Sequence, residues 1–155
     1  MGTTTYFHYA PVTLAPGSII QPGNWGRILA LYETNNTTQV QLNVIREALI
    51  ELARPATKPS RLECVFAVPT LGEAIKFRNQ HQRLSVIHEV IPVDDATTTH
   101  VGDYEIAITP FVGRYMQLMI DFARSYWTVT QPQNPEILFS CPIQVVAVPS
   151  VPPLP

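Results

Sequence analysis

Residues 65–92 read VFAVPTLGEAIKFRNQHQRLSVIHEVIP, and this stretch decides the fold class. It opens with apolar, β-favouring residues that Pro69 interrupts. Thr70 and Glu73 follow in capping-box spacing, which satisfies the free amide donors of a first helical turn and predicts a helix to about Gln82. From Ser85 the pattern changes to the alternation of a strand, SVIHEVIPV. Strand, capped helix and strand in so short a span rule out an all-helical bundle.

Toward the N-terminus, TTTYFHYAPVTL predicts a short strand that ends at Pro11, and APGSIIQPGNWG supplies two turns. RILALYE is read as strand-like, although so short an apolar run also fits a helix. ETNNTTQ is a polar loop. Leu42, Ile45, Leu49 and Leu52 recur at intervals of three and four, the mark of an amphipathic helix from Val40 to Arg54 that Pro55 ends. PATKPS is a linker.

Toward the C-terminus, DDATTTHVGDYEIAITP begins irregular and turns strand-like. GRYMQLMIDFARSYW places Tyr115, Leu118, Met119, Phe122 and Tyr126 on one helical face, a spacing expected to face the core. PEILFSCPIQVVAV supplies one or two strands. The order of elements predicts an α+β fold with about three helices rather than regular βαβ winding. One domain is expected over 1–148, followed by a proline-rich tail over 149–155. Such a tail is extended, either as plain surface or as a segment that a polyproline-reading partner recognises.

Composition agrees with one domain: 155 residues, 46% hydrophobic and 14% charged, with fifteen prolines that demand many stiff connections. The formal net charge of −2 gives no overall electrostatic footprint for nucleic acid or an anionic membrane. It disfavours a nucleic-acid acceptor without excluding a local basic groove. Lys76, Arg78 and Arg83 are read as a solvated helix end. Cys64 and Cys141 lie in apolar surroundings without metal-ligand spacing, as buried free thiols do in a reducing compartment. No charged segment leads into a long apolar run near the start, and no stretch of about eighteen apolar residues occurs, so a cytoplasmic chain without a membrane span is expected.

Phosphate loops, HExxH, paired CxxC and GxSxG are all missing from the sequence. His81, His88 and His100 are scattered, so no metal site is expected. Three residues in strand-like segments remain: His8 in YFHYA, Phe66 in CVFAVPTLGEA, and Glu136 in NPEILFSCPIQVV. Each has two readings. His8 is a ligand contact or a hydrogen-bonded core residue. Glu136, at the start of an apolar strand after Asn-Pro, projects at the sheet end as a rim residue or as a catalyst.

In this order, YFHYAPVTLAPGSII, VFAVPTLGEAI with VIHEVIPV, and NPEILFSCPIQVV resemble the ADP-ribosyltransferase superfamily, especially its rifamycin-modifying type and small bacterial families related to it. The resemblance covers about two-thirds of the chain. It implies a split, strongly bent β-sheet with NAD in its cleft, and NAD-dependent mono-ADP-ribosyl transfer with release of nicotinamide. His8 would match the histidine at the NAD ribose, Phe66 the aromatic near nicotinamide, and Glu136 the carboxylate serving the nicotinamide ribose. A carboxylate there stabilises positive charge that develops as the glycosidic bond breaks.

Two positions depart from the family pattern: Phe66 stands where a tyrosine is usual, and Tyr9 where a glycine lets backbone groups approach the carboxamide. Arg61 would suit the pyrophosphate or sit at a sheet edge, with Arg27 and Arg46 as weaker candidates. The acceptor is left open among proteins, nucleic acids and small molecules, as are transfer and hydrolysis. An antibiotic-modifying enzyme, a toxin and an effector delivered to a target cell's cytosol all fit. The alternative is a non-catalytic binding module on the same kind of fold.

Overall fold

In the computed structural model, which describes residues 4–31, 38–108 and 115–155, the capped helix and its two flanking strands form as the sequence predicts. The elements, in chain order, are β1 (Tyr6–Ala10), β2 (Ile19–Ile20), α1 (Asn24–Leu31), α2 (Thr38–Leu52), β3 (Val65–Ala67), α3 (Leu71–His81), β4 (Val86–Pro92), β5 (Thr99–Asp103), α4 (Tyr104–Ile108), α5 (Met116–Thr128), β6 (Pro135–Phe139) and β7 (Ile143–Ala147). A 3₁₀ turn, Arg61–Glu63, precedes β3. The chain is a small α+β domain with five α-helices among the described residues, two more than the sequence predicts.

All strand pairs are antiparallel. One sheet has the order β1-β4-β7-β2 and the other β3-β6-β5. A single bridge between Phe7 and Val68 joins them, with N–H···O distances of 2.9 and 2.8 Å. The sheet curls about that junction, because Val65, Ala67, Ile137 and Phe139 of one half share a buried cluster with Val90, Ile143 and Val145 of the other. On the opposite face, Leu138 packs with Cys64, Ile50 of α2, and Ala123, Tyr126 and Trp127 of α5. Alternation along β6 therefore sends Ile137 and Phe139 between the sheet halves and turns Glu136 and Leu138 toward the helices.

Several expectations are corrected. RILALYE is not a strand; its described part lies in α1, where Gly26 packs against the Leu62 backbone so closely that a Cβ would clash. YEIAI is helix rather than strand, because Asp103 Oδ1 accepts the Glu105 N–H at 3.0 Å and caps the first turn. In α5 the buried residues are Ala123, Tyr126 and Trp127, while Tyr115 and Leu118 are exposed. Arg78 is buried rather than solvated, and its guanidinium donates to Pro152 O at 3.0 Å. Most of the predicted loop ETNNTTQ lies outside the described residues.

Thr70 Oγ1 accepts the Glu73 N–H at 3.2 Å, so that half of the predicted capping box is present. Glu73 Oε2, by contrast, is buried without a hydrogen-bond partner. Both cysteines are free and buried, and burial pushes the Cys64 thiol up to about 12, which leaves it unreactive at neutral pH. No helix among the described residues is long and apolar enough to cross a membrane.

Candidate functional site

β1 and β3 touch at the Phe7–Val68 bridge and then diverge. Residues two apart on a strand send their peptide groups to the same edge, so the N–H and C=O of Tyr9 face the fork, as those of Phe7 face Val68. Phe66 O, two residues from Val68, also turns toward β1. His8 fills the gap: its Nδ1 lies 2.7 Å from Phe66 O. A carbonyl can only accept, so Nδ1 carries the proton and Nε2 is left as an acceptor. Burial holds the His8 pKa below its ordinary value, opposed by the Phe66 carbonyl and aided by His88, so the ring is neutral.

His8 lies directly across from His88 in the β1–β4 ladder. His88 is fully buried, and its Nε2 accepts the Leu14 N–H at 2.9 Å. His100 is likewise buried against Tyr126 O at 3.1 Å. Burial lowers the pKa of all three histidines. Their neutral forms thus stabilise the fold fully above the unfolded value of about 6.5, and that contribution is lost as pH falls through the folded values. Urea denaturation at pH 7.5 and 5.5 should give a lower midpoint at the acid pH, whereas equal midpoints would contradict these environments.

Glu136 lies across from Gly102 in β5, one residue before Ile137, which pairs with Ala67 in the β3–β6 ladder. The structure brings Phe66 and Glu136 to one face of the curled sheet and places the His8 side chain on the other, at the fork. The residue is no rim carboxylate. Glu136 is 8% exposed, and its Oε1 accepts from Tyr126 Oη at 2.7 Å and from Arg61 Nη1.

Arg61, 5% exposed, is the hub of this interior cluster. Its Nε and Nη2 donate to the two Glu47 oxygens at 3.0 and 3.2 Å, and Nη1 donates to Tyr126 Oη at 2.7 Å. Its guanidinium lies 4.9 Å from the Phe66 ring centre and 4.7 Å from that of Tyr126. Burial alone would lower the Arg61 pKa; Glu136 and Glu47 outweigh it and hold it well above the ordinary value. Arg61 is therefore committed to two carboxylates and is not presented to a pyrophosphate. Arg46 is also buried, with Nη1 on Ile108 O at 3.1 Å. Arg27 is exposed at α1, with contacts of 3.4 Å to Pro22 O and Asn24 Oδ1.

Gly102 makes the Tyr126–Glu136 contact possible. A Cβ at this position would enter the Tyr126 ring. Gly102→Ala should cost about 1–3 kcal/mol by overpacking, measured by urea denaturation; a loss under about 0.5 kcal/mol would show that the ring moves freely.

Sequence reading missed a set of buried hydroxyls beside Glu136. Tyr9 stacks on Phe77 with ring centres 4.7 Å apart, and Phe77 meets Tyr104 edge-on at 4.8 Å. Tyr9 Oη and Tyr104 Oη are buried without hydrogen-bond partners. Burial, aided by Glu73 among others, pushes the Tyr104 phenol up to about 12, and that of Tyr9 rises further, with Tyr104 and Glu136 contributing. Removing an unpaired hydroxyl removes its desolvation penalty, of about 1–3 kcal/mol. Tyr104→Phe should accordingly be as stable as the parent or more so, and a clear loss on thermal melting would reveal a partner for that oxygen. Among the described residues, no group of His, Cys, Asp and Glu could hold a metal ion.

Fold and site define a small α+β domain whose curled antiparallel sheet forks between β1 and β3, with a histidine in the fork and a buried arginine–carboxylate cluster beside it. The chain belongs to the family described as Protein of unknown function (DUF2441), whose model matches residues 26–150. No curated protein matches it.

Proposed function

We propose that this chain is an ADP-ribosyltransferase-like enzyme that takes NAD as substrate, releases nicotinamide and passes ADP-ribose to an acceptor. The observation that carries this reading is the fork. Beyond the Phe7–Val68 bridge, the N–H and C=O of Tyr9 face an edge that β3 has left, next to a neutral His8 whose Nε2 accepts. A main-chain donor and acceptor side by side suit a carboxamide, and an imidazole acceptor suits a ribose hydroxyl. The Tyr9 side chain alternates away from His8, so its bulk does not obstruct that edge.

The residues fit NAD in part. His8 and the Tyr9 backbone would hold its nicotinamide riboside end, and Phe66 keeps an aromatic face without a tyrosine hydroxyl. Arg27 is the exposed guanidinium of the three considered for the pyrophosphate. Assigning Glu136 to the nicotinamide ribose requires the dinucleotide to reach past the fork from the His8 face to the interior cluster, where Arg61 and Tyr126 fix the carboxylate.

A second reading rests on the same carboxylate. Glu136 is buried and already paired with Arg61, as befits a structural ion pair in a non-catalytic binding module. Thermal melting with NAD separates the two: an NAD site gains about 2.7 kcal/mol at a hundredfold excess over Kd. An unchanged melting midpoint at millimolar NAD would favour the binding module.

A further inference from the structure

Residues 149–155, PSVPPLP, are tied to the α3 region at Val151 and by two arginines, while Pro152, Pro153, Leu154 and Pro155 stay exposed. Val151 packs against the cluster of Val68, Ala74 and Ile87, where Phe7, Tyr9 and Ile75 also meet. Arg78 Nη2 donates to Pro152 O at 3.0 Å, and Arg83 Nη2 donates to Pro155 O at 3.2 Å. These two oxygens are three residues apart. Polyproline II has three residues per turn and leaves its own carbonyls free, so oxygens at that spacing lie on one side of the strand. Two arginine contacts to oxygens at that spacing, beside an apolar socket for Val151, the residue preceding Pro152, match that repeat. The prolines lose little freedom on binding, which favours this kind of ligand.

We propose that Arg78, Arg83 and the Val151 socket form a receptor for proline-rich segments of a partner protein with Val-Pro-x-x-Pro spacing, occupied in cis by residues 151–155. The grip is small: two exchangeable hydrogen bonds and one aliphatic side chain. Tethering holds the cis segment at an effective concentration of about millimolar. A partner carrying a longer or repeated proline-rich stretch therefore displaces it, while an isolated copy of the short segment competes poorly with the wild-type tail.

The test uses the full chain and a fluorescent PSVPPLP peptide, read by polarisation. Val151→Asp withdraws the tail from its apolar socket without touching the receptor. This variant should bind the peptide at least tenfold more tightly than wild type. Exposed Arg83, replaced by Ala in the Val151→Asp background, should weaken that binding several-fold, and Arg78→Ala should abolish it. A permuted peptide, PSPVPLP, should bind more weakly than PSVPPLP. Denaturation curves identify any variant that fails to fold; the Arg83 and permuted-peptide arms stand without Arg78→Ala. Failure of Val151→Asp to bind, or equal binding of the two peptides, would overturn the proposal. Concentration-dependent dimers of the wild-type chain that Val151→Asp abolishes would also overturn it, by assigning the socket to a second copy.

Discussion

Arg61→Met is expected to lose about 3–5 kcal/mol of folding stability, because it leaves Glu47 and Glu136 as buried charges without their common partner. Arg61 supplies three nitrogens to these carboxylates and one bond to Tyr126 Oη. The substitution keeps much of the side-chain volume, so the loss reports charge rather than a cavity. Urea denaturation of wild type and variant measures it, and a loss below about 1 kcal/mol would show that water reaches the cluster. A fully apolar replacement, combining Arg61→Met with Glu47→Leu, Glu136→Leu and Tyr126→Phe, should recover most of the stability, since well-packed apolar groups often match a buried ion pair. Recovery there, together with loss of any NAD chemistry, would show that the cluster is kept for Glu136 rather than for the fold.

Glu136→Gln is expected to slow nicotinamide release from NAD by about 10²-fold or more, the usual consequence of removing one group that stabilises transition-state charge. Glutamine preserves shape and can still accept from Arg61 and Tyr126, so the rate effect is larger than any effect on NAD affinity. Release is followed by chromatography in wild type and variant at the same protein concentration. Equal rates in the two proteins would remove Glu136 from the chemistry. His8→Gln provides a second reading: an amide that still donates to Phe66 O should leave the shape of the fork unchanged while weakening NAD binding.

The parts of the fold that the sequence makes legible are those fixed by neighbours in the chain. Thr70 and Glu73 mark the start of α3, alternation marks β4 and a short apolar run marks β6, because capping and strand patterning are local. The α2 helix is legible as a helix, but its orientation is not. Its stripe of Leu42, Ile45, Leu49 and Leu52 is the expected core face, yet Ile45 and Leu52 are exposed while Arg46, Glu47 and Ile50 turn inward. The reason is non-local: Glu47 meets Arg61 fourteen residues on, and Arg61 meets Glu136 seventy-five residues beyond that. No periodicity in one helix announces partners at such distances.

The candidate site divides the same way. His8 and Phe66 stand out as residues in strand-like segments, but the bond between them exists only because β1 and β3 separate after one bridge. Glu136 stands out as an acid in an apolar strand, and its inward turn depends on a missing side chain at Gly102 across the ladder. Arg61 is read from sequence as a guanidinium for a pyrophosphate; two carboxylates from distant elements take it instead.

The reading of this chain as an NAD enzyme depends on the fork between β1 and β3 accepting the nicotinamide end of the dinucleotide. A crystal soaked with NAD tests this directly. The account predicts the carboxamide on the N–H and C=O of Tyr9, a ribose hydroxyl on His8 Nε2, and the nicotinamide ribose within hydrogen-bond reach of Glu136. NAD bound elsewhere on the surface, or a fork that stays empty at saturating NAD, would contradict it.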